Sequence, residues 1–123
     1  MDLCGSYTGG CLCGAVRFRA IGEPVSVGWC HCSSCRKHTG APASCFADYN
    51  RDNVEYTKGR PAYFQSSPGV MRGFCAVCGS TLTFEEAAAT GMLFLHLGSF
   101  DDPSSFEPVT SSHAGERLPW MPA

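Results

Sequence analysis

Seven of the nine cysteines in this 123-residue chain fall into three tight groups, Cys11-x-Cys13, Cys30-x-Cys32-x-x-Cys35 and Cys75-x-x-Cys78. Thiolates at these spacings are preferred ligands of Zn²⁺. Two pairs complete a tetrahedral set, whereas three thiolates leave one coordination position open. The partition into four and three therefore points to two zinc ions per chain. One is structural, on Cys11, Cys13, Cys75 and Cys78, and the other, on Cys30, Cys32 and Cys35, keeps a position for a further ligand.

A disulfide framework is the competing reading of so many cysteines. Met1 to Ser6 carry neither a basic nor an apolar segment of the kind that directs export, so a reducing, cytoplasmic setting is expected. Persistent disulfides are rare there, and an odd number of cysteines would leave one thiol unpaired. A hydrophobic content of 44% lets a chain of this length bury one modest core, which predicts a single domain over residues 1–123 with its core from about 6 to 120. A net charge of −2 and the lack of basic runs exclude a nucleic-acid footprint. The longest uncharged apolar stretch, from Gly91 to Gly98, is too short to cross a membrane.

The apolar pattern predicts a mainly β fold of short strands. Ala15 to Ala20 alternates apolar and charged residues, and Val25, Val27 and Trp29 repeat the period of two. Val54 with Tyr56, Tyr63-Phe64 and Thr81 to Phe84 read as further strands, with a turn at Lys58-Gly59-Arg60-Pro61. Met92 to Leu97 is apolar on both faces, as expected of a central buried strand. Glu85 to Thr90 is long enough for one or two helical turns at most.

Residues two apart on a strand share a face, so Cys11 and Cys13 present their sulfurs together. Cys75 to Gly79 reads as a knuckle in which Gly79 takes the positive φ of a tight turn. In the middle cluster Cys30 and Cys32 share a face, and Ser33-Ser34 start a helical turn that brings Cys35 round. Arg36 and Lys37, with His38, either hold the carboxylates of a thiol-bearing substrate or form a solvated basic face. His38 is an alternative fourth ligand, while Cys45 suits a buried strand better. His31 should point away from its flanking ligands. His96 reads as a core histidine with its hydrogen bonds satisfied, and Cys4 has no partner at ligand spacing.

Gly9-Gly10-Cys11-Leu12-Cys13-Gly14-Ala15-Val16-Arg17-Phe18, Cys30 to Lys37 with Gly40, Ser66-Ser67-Pro68-Gly69, Phe74 to Gly79, and Gly98 to Pro103 together resemble the glutathione-dependent formaldehyde-activating enzyme family, also called the centromere protein V family. The resemblance runs from about residue 6 to Trp120. It implies a β-tent zinc-binding fold of short antiparallel strands. It also implies a structural zinc on Cys11, Cys13, Cys75 and Cys78 and a catalytic zinc on Cys30, Cys32 and Cys35. The implied activity is that of a carbon–sulfur lyase joining glutathione and formaldehyde into S-(hydroxymethyl)glutathione. The family usually places a histidine three residues after the proline matching Pro108; here Ser111 stands there, with His113 two residues on.

Two functions are therefore expected to compete. One is zinc-dependent chemistry between a small thiol such as glutathione and a small carbonyl compound. The other is a non-catalytic zinc module with two structural metals that binds a protein partner. Methionine sulfoxide reductases of the B type have a similar fold, but they need a catalytic cysteine late in the chain, and no cysteine follows Cys78.

Overall fold

A computed structural model describes residues 5–122. Ten strands form two sheets. The smaller sheet has the order β1 (Ser6–Gly10), β2 (Arg17–Ile21), β5 (Val54–Lys58), all antiparallel. The larger has seven strands. Its order is β10 (Thr110–Ser112), β3 (Ser26–Cys30), β4 (Ser44–Asn50), β9 (Met92–His96), β8 (Thr81–Glu86), β7 (Val70–Phe74), β6 (Ala62–Ser67). The expected mainly β architecture is present, and Met92 to His96 is indeed the central strand of the larger sheet. One pairing departs from the antiparallel expectation. β10 runs parallel to β3, because the chain returns to that edge over a long connection rather than a hairpin.

Each face of the large sheet has its own task. Val27, Ala47, Tyr49, Leu93 and Leu95 point toward the small sheet and pack with Phe18, Ala20, Phe100 and Phe106. This is the main core. On the opposite face the register sets Ser26, Asp48, Phe94, Phe84 and Arg72 side by side in one row across five strands. Directly paired residues share a face, so this row forms a continuous surface. Gly28, Phe46 and His96 make the adjacent row.

The only α-helix among the described residues is α1 (Ser33–Thr39). It starts with Cys32 as its cap, whose sulfur accepts the Cys35 N–H at 3.3 Å, and ends at Gly40 with φ 74°. The Glu85 to Thr90 region contributes only a short 3₁₀ turn, Ala87–Ala89, after β8. Strands β1, β7 and β10 were not visible in the hydrophobic alternation. Glycine and serine dominate β1 and β10, and an arginine and a glycine interrupt the apolar pattern at the centre of β7. No helix among the described residues is long and apolar enough to cross a membrane.

Candidate metal centre

Cys11 and Cys13 leave the end of β1 in a tight turn, and Cys75 begins the turn that follows β7. The sulfurs of Cys11, Cys13, Cys75 and Cys78 all lie within 4.8 Å of one another. Cys11 and Cys13 are 3.7 Å apart, and Cys13 and Cys75 3.8 Å. A tetrahedron with Zn–S bonds of ~2.3 Å has edges of about 3.8 Å, so the four sulfurs stand where a zinc ion fits. Gly79 has φ 81°, and its N–H donates to the Cys75 carbonyl at 2.8 Å to close the knuckle. The Val77 and Cys78 amides donate to Cys75 Sγ. Hydrogen bonds centred on Ser80 hold the Cys78 thiol down at about 5. Cys11 and Cys75 sit in a small core with Val16 and Leu82, so the pairs are packed as well as juxtaposed.

The second cluster assembles from β3, α1 and the tail. Cys30 ends β3, Cys32 caps α1, and Cys35 lies one turn into it. The ligand atoms of Cys30, Cys32 and His113 lie within 4.8 Å of one another, with Cys30 Sγ 3.8 Å from His113 Nδ1. Cys35 Sγ is 3.6 Å from Cys30 Sγ on the buried side of that trio. Two sulfurs and an imidazole thus form a compact donor set suited to zinc, with the Cys35 sulfur beside Cys30 but outside that group.

Cys30 is drawn down to about 4, mainly by its hydrogen bond with Cys35 and against the penalty of burial. Cys35 is pushed up in return, although Arg72 Nη1 lies 3.5 Å from its sulfur.

His113 owes its place to the edge strand. Ser112 sits beside Cys30 in the parallel register, and the His31 N–H donates to the Ser112 carbonyl at 3.1 Å. The close approach requires Gly28, where a Cβ would meet Thr110 Oγ1 at 2.1 Å. His113 itself adopts φ 54°, the one positive φ among the described non-glycine residues. Such a conformation costs energy and marks a position held by its surroundings. Glu116 pins the segment, accepting the Ser33 N–H at its carboxylate and the Arg36 guanidinium at its carbonyl.

Several expectations resolve here. His38 donates to or accepts from Thr81 Oγ1 at 2.7 Å and is absent from the cluster. Cys45 packs beside the main core, and burial raises its thiol to about 11. His31 is buried outside both ligand groups. His96 is a core histidine, but its Nε2 lacks a hydrogen-bond partner among the described residues, contrary to the expected satisfied ring. Cys4 lies outside the described residues.

A cavity of about 570 Å³ opens onto this cluster. Its floor is the outer sheet face, with Phe46, Phe84 and Phe94 as the apolar part. Arg72 is buried beneath it, donating to Ser66 Oγ at 2.9 Å and lying over the Phe84 ring at 5.1 Å. The carboxylates of Asp48, Glu86 and Glu116 line the same space. Arg36 and Lys37 do not, since Arg36 is turned to the Glu116 carbonyl and Lys37 to solvent. Sequence reasoning passed over Arg72 and the three carboxylates. The only signal for Arg72 was a lone charge in the strand Val70 to Phe74.

Comparison with known proteins agrees with this architecture. A family model described as glutathione-dependent formaldehyde-activating enzyme matches residues 6–116. A Schizosaccharomyces pombe protein, named an uncharacterized lyase, is 32% identical over 94 residues, which span 76% of this chain and 68% of that protein. The crystal structure of a Rhodobacter sphaeroides protein matches with a TM-score of 0.67 at 19% identity. That match covers 85% of this chain and 99% of the other, and it carries the fold alone. With the family model spanning nearly the whole length, this chain belongs to the glutathione-dependent formaldehyde-activating enzyme family.

Proposed function

We propose that this chain is a zinc-dependent, lyase-like enzyme of the reducing cytoplasm that joins a small thiol to a small carbonyl compound. The family's named pair, glutathione and formaldehyde, is the first to assay. The observation that carries the reading is the cavity opening onto Cys30, Cys32 and His113. A purely structural metal has no need of such a space. In the reaction the thiol sulfur forms a bond to the carbonyl carbon, the carbonyl π bond breaks, and the thiol proton ends on the new hydroxyl oxygen.

Zinc at the second cluster would supply Lewis acidity, which favours the deprotonated form of a thiol beside it. Cys30, Cys32 and Cys35 would hold that ion, with Arg72 bonded to the Cys35 sulfur from beneath. His113 is the exchangeable member of the set. It is exposed and stands on a strained turn, so its release relieves a cost that the three cysteines do not carry. Cys11, Cys13, Cys75 and Cys78 would hold the structural ion.

The approach of His113 to Cys30 also favours a second reading, in which three thiolates and the imidazole close the site and the protein is a non-catalytic zinc module. The variant His113→Ala separates the two. Under the enzymatic reading it keeps both metals and still binds thiol. Loss of the second metal, with no thiol binding by the parent protein, would favour the module instead. In the direct assay, formaldehyde consumption with a small thiol should exceed the uncatalysed rate in the zinc-loaded protein and revert to it in Cys32→Ser.

A further inference from the structure

The charges around the cavity bear on which thiol it takes. The floor and rim carry three carboxylates, Asp48, Glu86 and Glu116, while the one guanidinium lining the space, Arg72, is buried and committed to Cys35 Sγ and Ser66 Oγ. Arg36 and Lys37, the cations nearest in sequence, stay outside. Asp48 is half-buried on β4 and accepts the Ser26 hydroxyl, one strand away from the Phe94 ring with which it pairs. Aromatic faces beside carboxylates attract an ammonium group through the ring quadrupole as well as through charge. Glutathione, with two carboxylates and one ammonium, meets a field of its own sign there.

Resting on the enzymatic reading above, we infer that this cavity selects a thiol bearing a cationic group, with the sulfur at Cys30, Cys32 and His113 and the ammonium toward Asp48 over the phenylalanine floor, Glu86 adding charge at the outer end. The family's named thiol is then a poor substrate for this chain. The carboxylates act as specificity determinants rather than as part of the bond-making step.

Three thiols with the same two-carbon spacer and different end groups test this: 2-aminoethanethiol, 2-mercaptoethanol and 3-mercaptopropionate. Each is titrated into the cobalt-substituted protein, followed by the thiolate-to-cobalt absorption and by calorimetry. The order expected is ammonium, then hydroxyl, then carboxylate, with the outer two at least tenfold apart. A tenfold difference corresponds to about 1.4 kcal/mol.

The thiols also differ in acidity, so the deciding quantity is how the ammonium-to-carboxylate ratio changes on neutralising a carboxylate. Asp48→Asn should lower that ratio at least threefold, and Glu86→Gln, farther along the sheet, should lower it less. Glu55→Gln, on the other sheet and paired with Arg19, should leave it unchanged. Raising the salt concentration should compress the ratio in the parent protein, since the rim charges are partly screened. Circular dichroism establishes that each variant is folded.

A ratio unaffected by both Glu86→Gln and Asp48→Asn, or a preference for 3-mercaptopropionate, would overturn the selectivity while leaving the thiol chemistry standing. Absence of any spectral or calorimetric response to all three thiols would remove the thiol chemistry, and this inference with it.

Discussion

Replacing Cys75 by serine should cost far more than replacing any single cysteine of the second cluster. Cys13 and Cys75 are 62 positions apart in sequence, yet their sulfurs are 3.8 Å apart. A cross-link closing a loop of that length restricts the unfolded chain by about 4 kcal/mol, using the loop-entropy relation for disulfides as a guide to a metal bridge. Whole-domain stability is ~5–15 kcal/mol. Cys75 is fully buried and also accepts the knuckle's Val77 and Cys78 amides, so the substitution dismantles the turn along with the ligand set. In a domain of this size each kcal/mol is worth about 4 °C in melting temperature, which sets the expected drop near 15 °C or produces insoluble protein. Cys32→Ser breaks a bridge among cysteines of one hexapeptide, for which the same relation gives only about half as much, and the exchangeable His113 adds no fixed long-range tie. The assay is thermal unfolding followed by circular dichroism, with zinc content measured on each variant. Equal destabilisation by Cys75→Ser and Cys32→Ser would refute the division into one structural and one exchangeable site.

Two further outcomes follow from the geometry. Gly28→Val should force β10 away from β3, because its Cβ would sit 2.1 Å from Thr110 Oγ1; amide exchange should accelerate at Val109 and His31, and unchanged protection there would contradict the edge-strand account. His96 is held near 3 by burial, with His38 and Arg72 adding to the effect, so the folded state keeps it neutral while the unfolded chain takes up a proton below about pH 6.5. Its contribution is therefore neutral above pH 6.5 and destabilises progressively as the pH falls toward 3, by up to about 1.4 kcal/mol per pH unit. His96→Leu should lose stability less steeply than the parent between pH 6 and 4, and parallel curves from chemical denaturation would show that His96 does not titrate on unfolding.

Much of this molecule was legible from residue order because metal ligands and sheet periodicity are both local signals. The spacing of Cys11, Cys13, Cys75 and Cys78 marked a four-sulfur set without any knowledge of the fold. The unbroken apolar run from Met92 to His96 marked the strand that sits centrally. Long-range geometry escaped. His113 reaches Cys30 only because Gly28 lets a three-residue edge strand lie parallel to β3, and nothing in the local pattern around Thr110 announces a strand. Arg72, Asp48 and Glu86 come from three different strands, and only the register places them around one cavity. Arg36 and Lys37 show the converse. Adjacent to Cys35 in sequence, they point out of the cavity because the helix turns them away from it.

The most direct test of the account is metal stoichiometry under graded chelation. Protein purified without chelator should contain two zinc ions per chain by elemental analysis. Mild chelator should remove one of them with the fold intact, and Cys30→Ser should contain only one from the outset, resistant to the same treatment. No more than one zinc in the parent protein, with Cys30→Ser unchanged in metal content, would contradict the existence of the second, exchangeable centre.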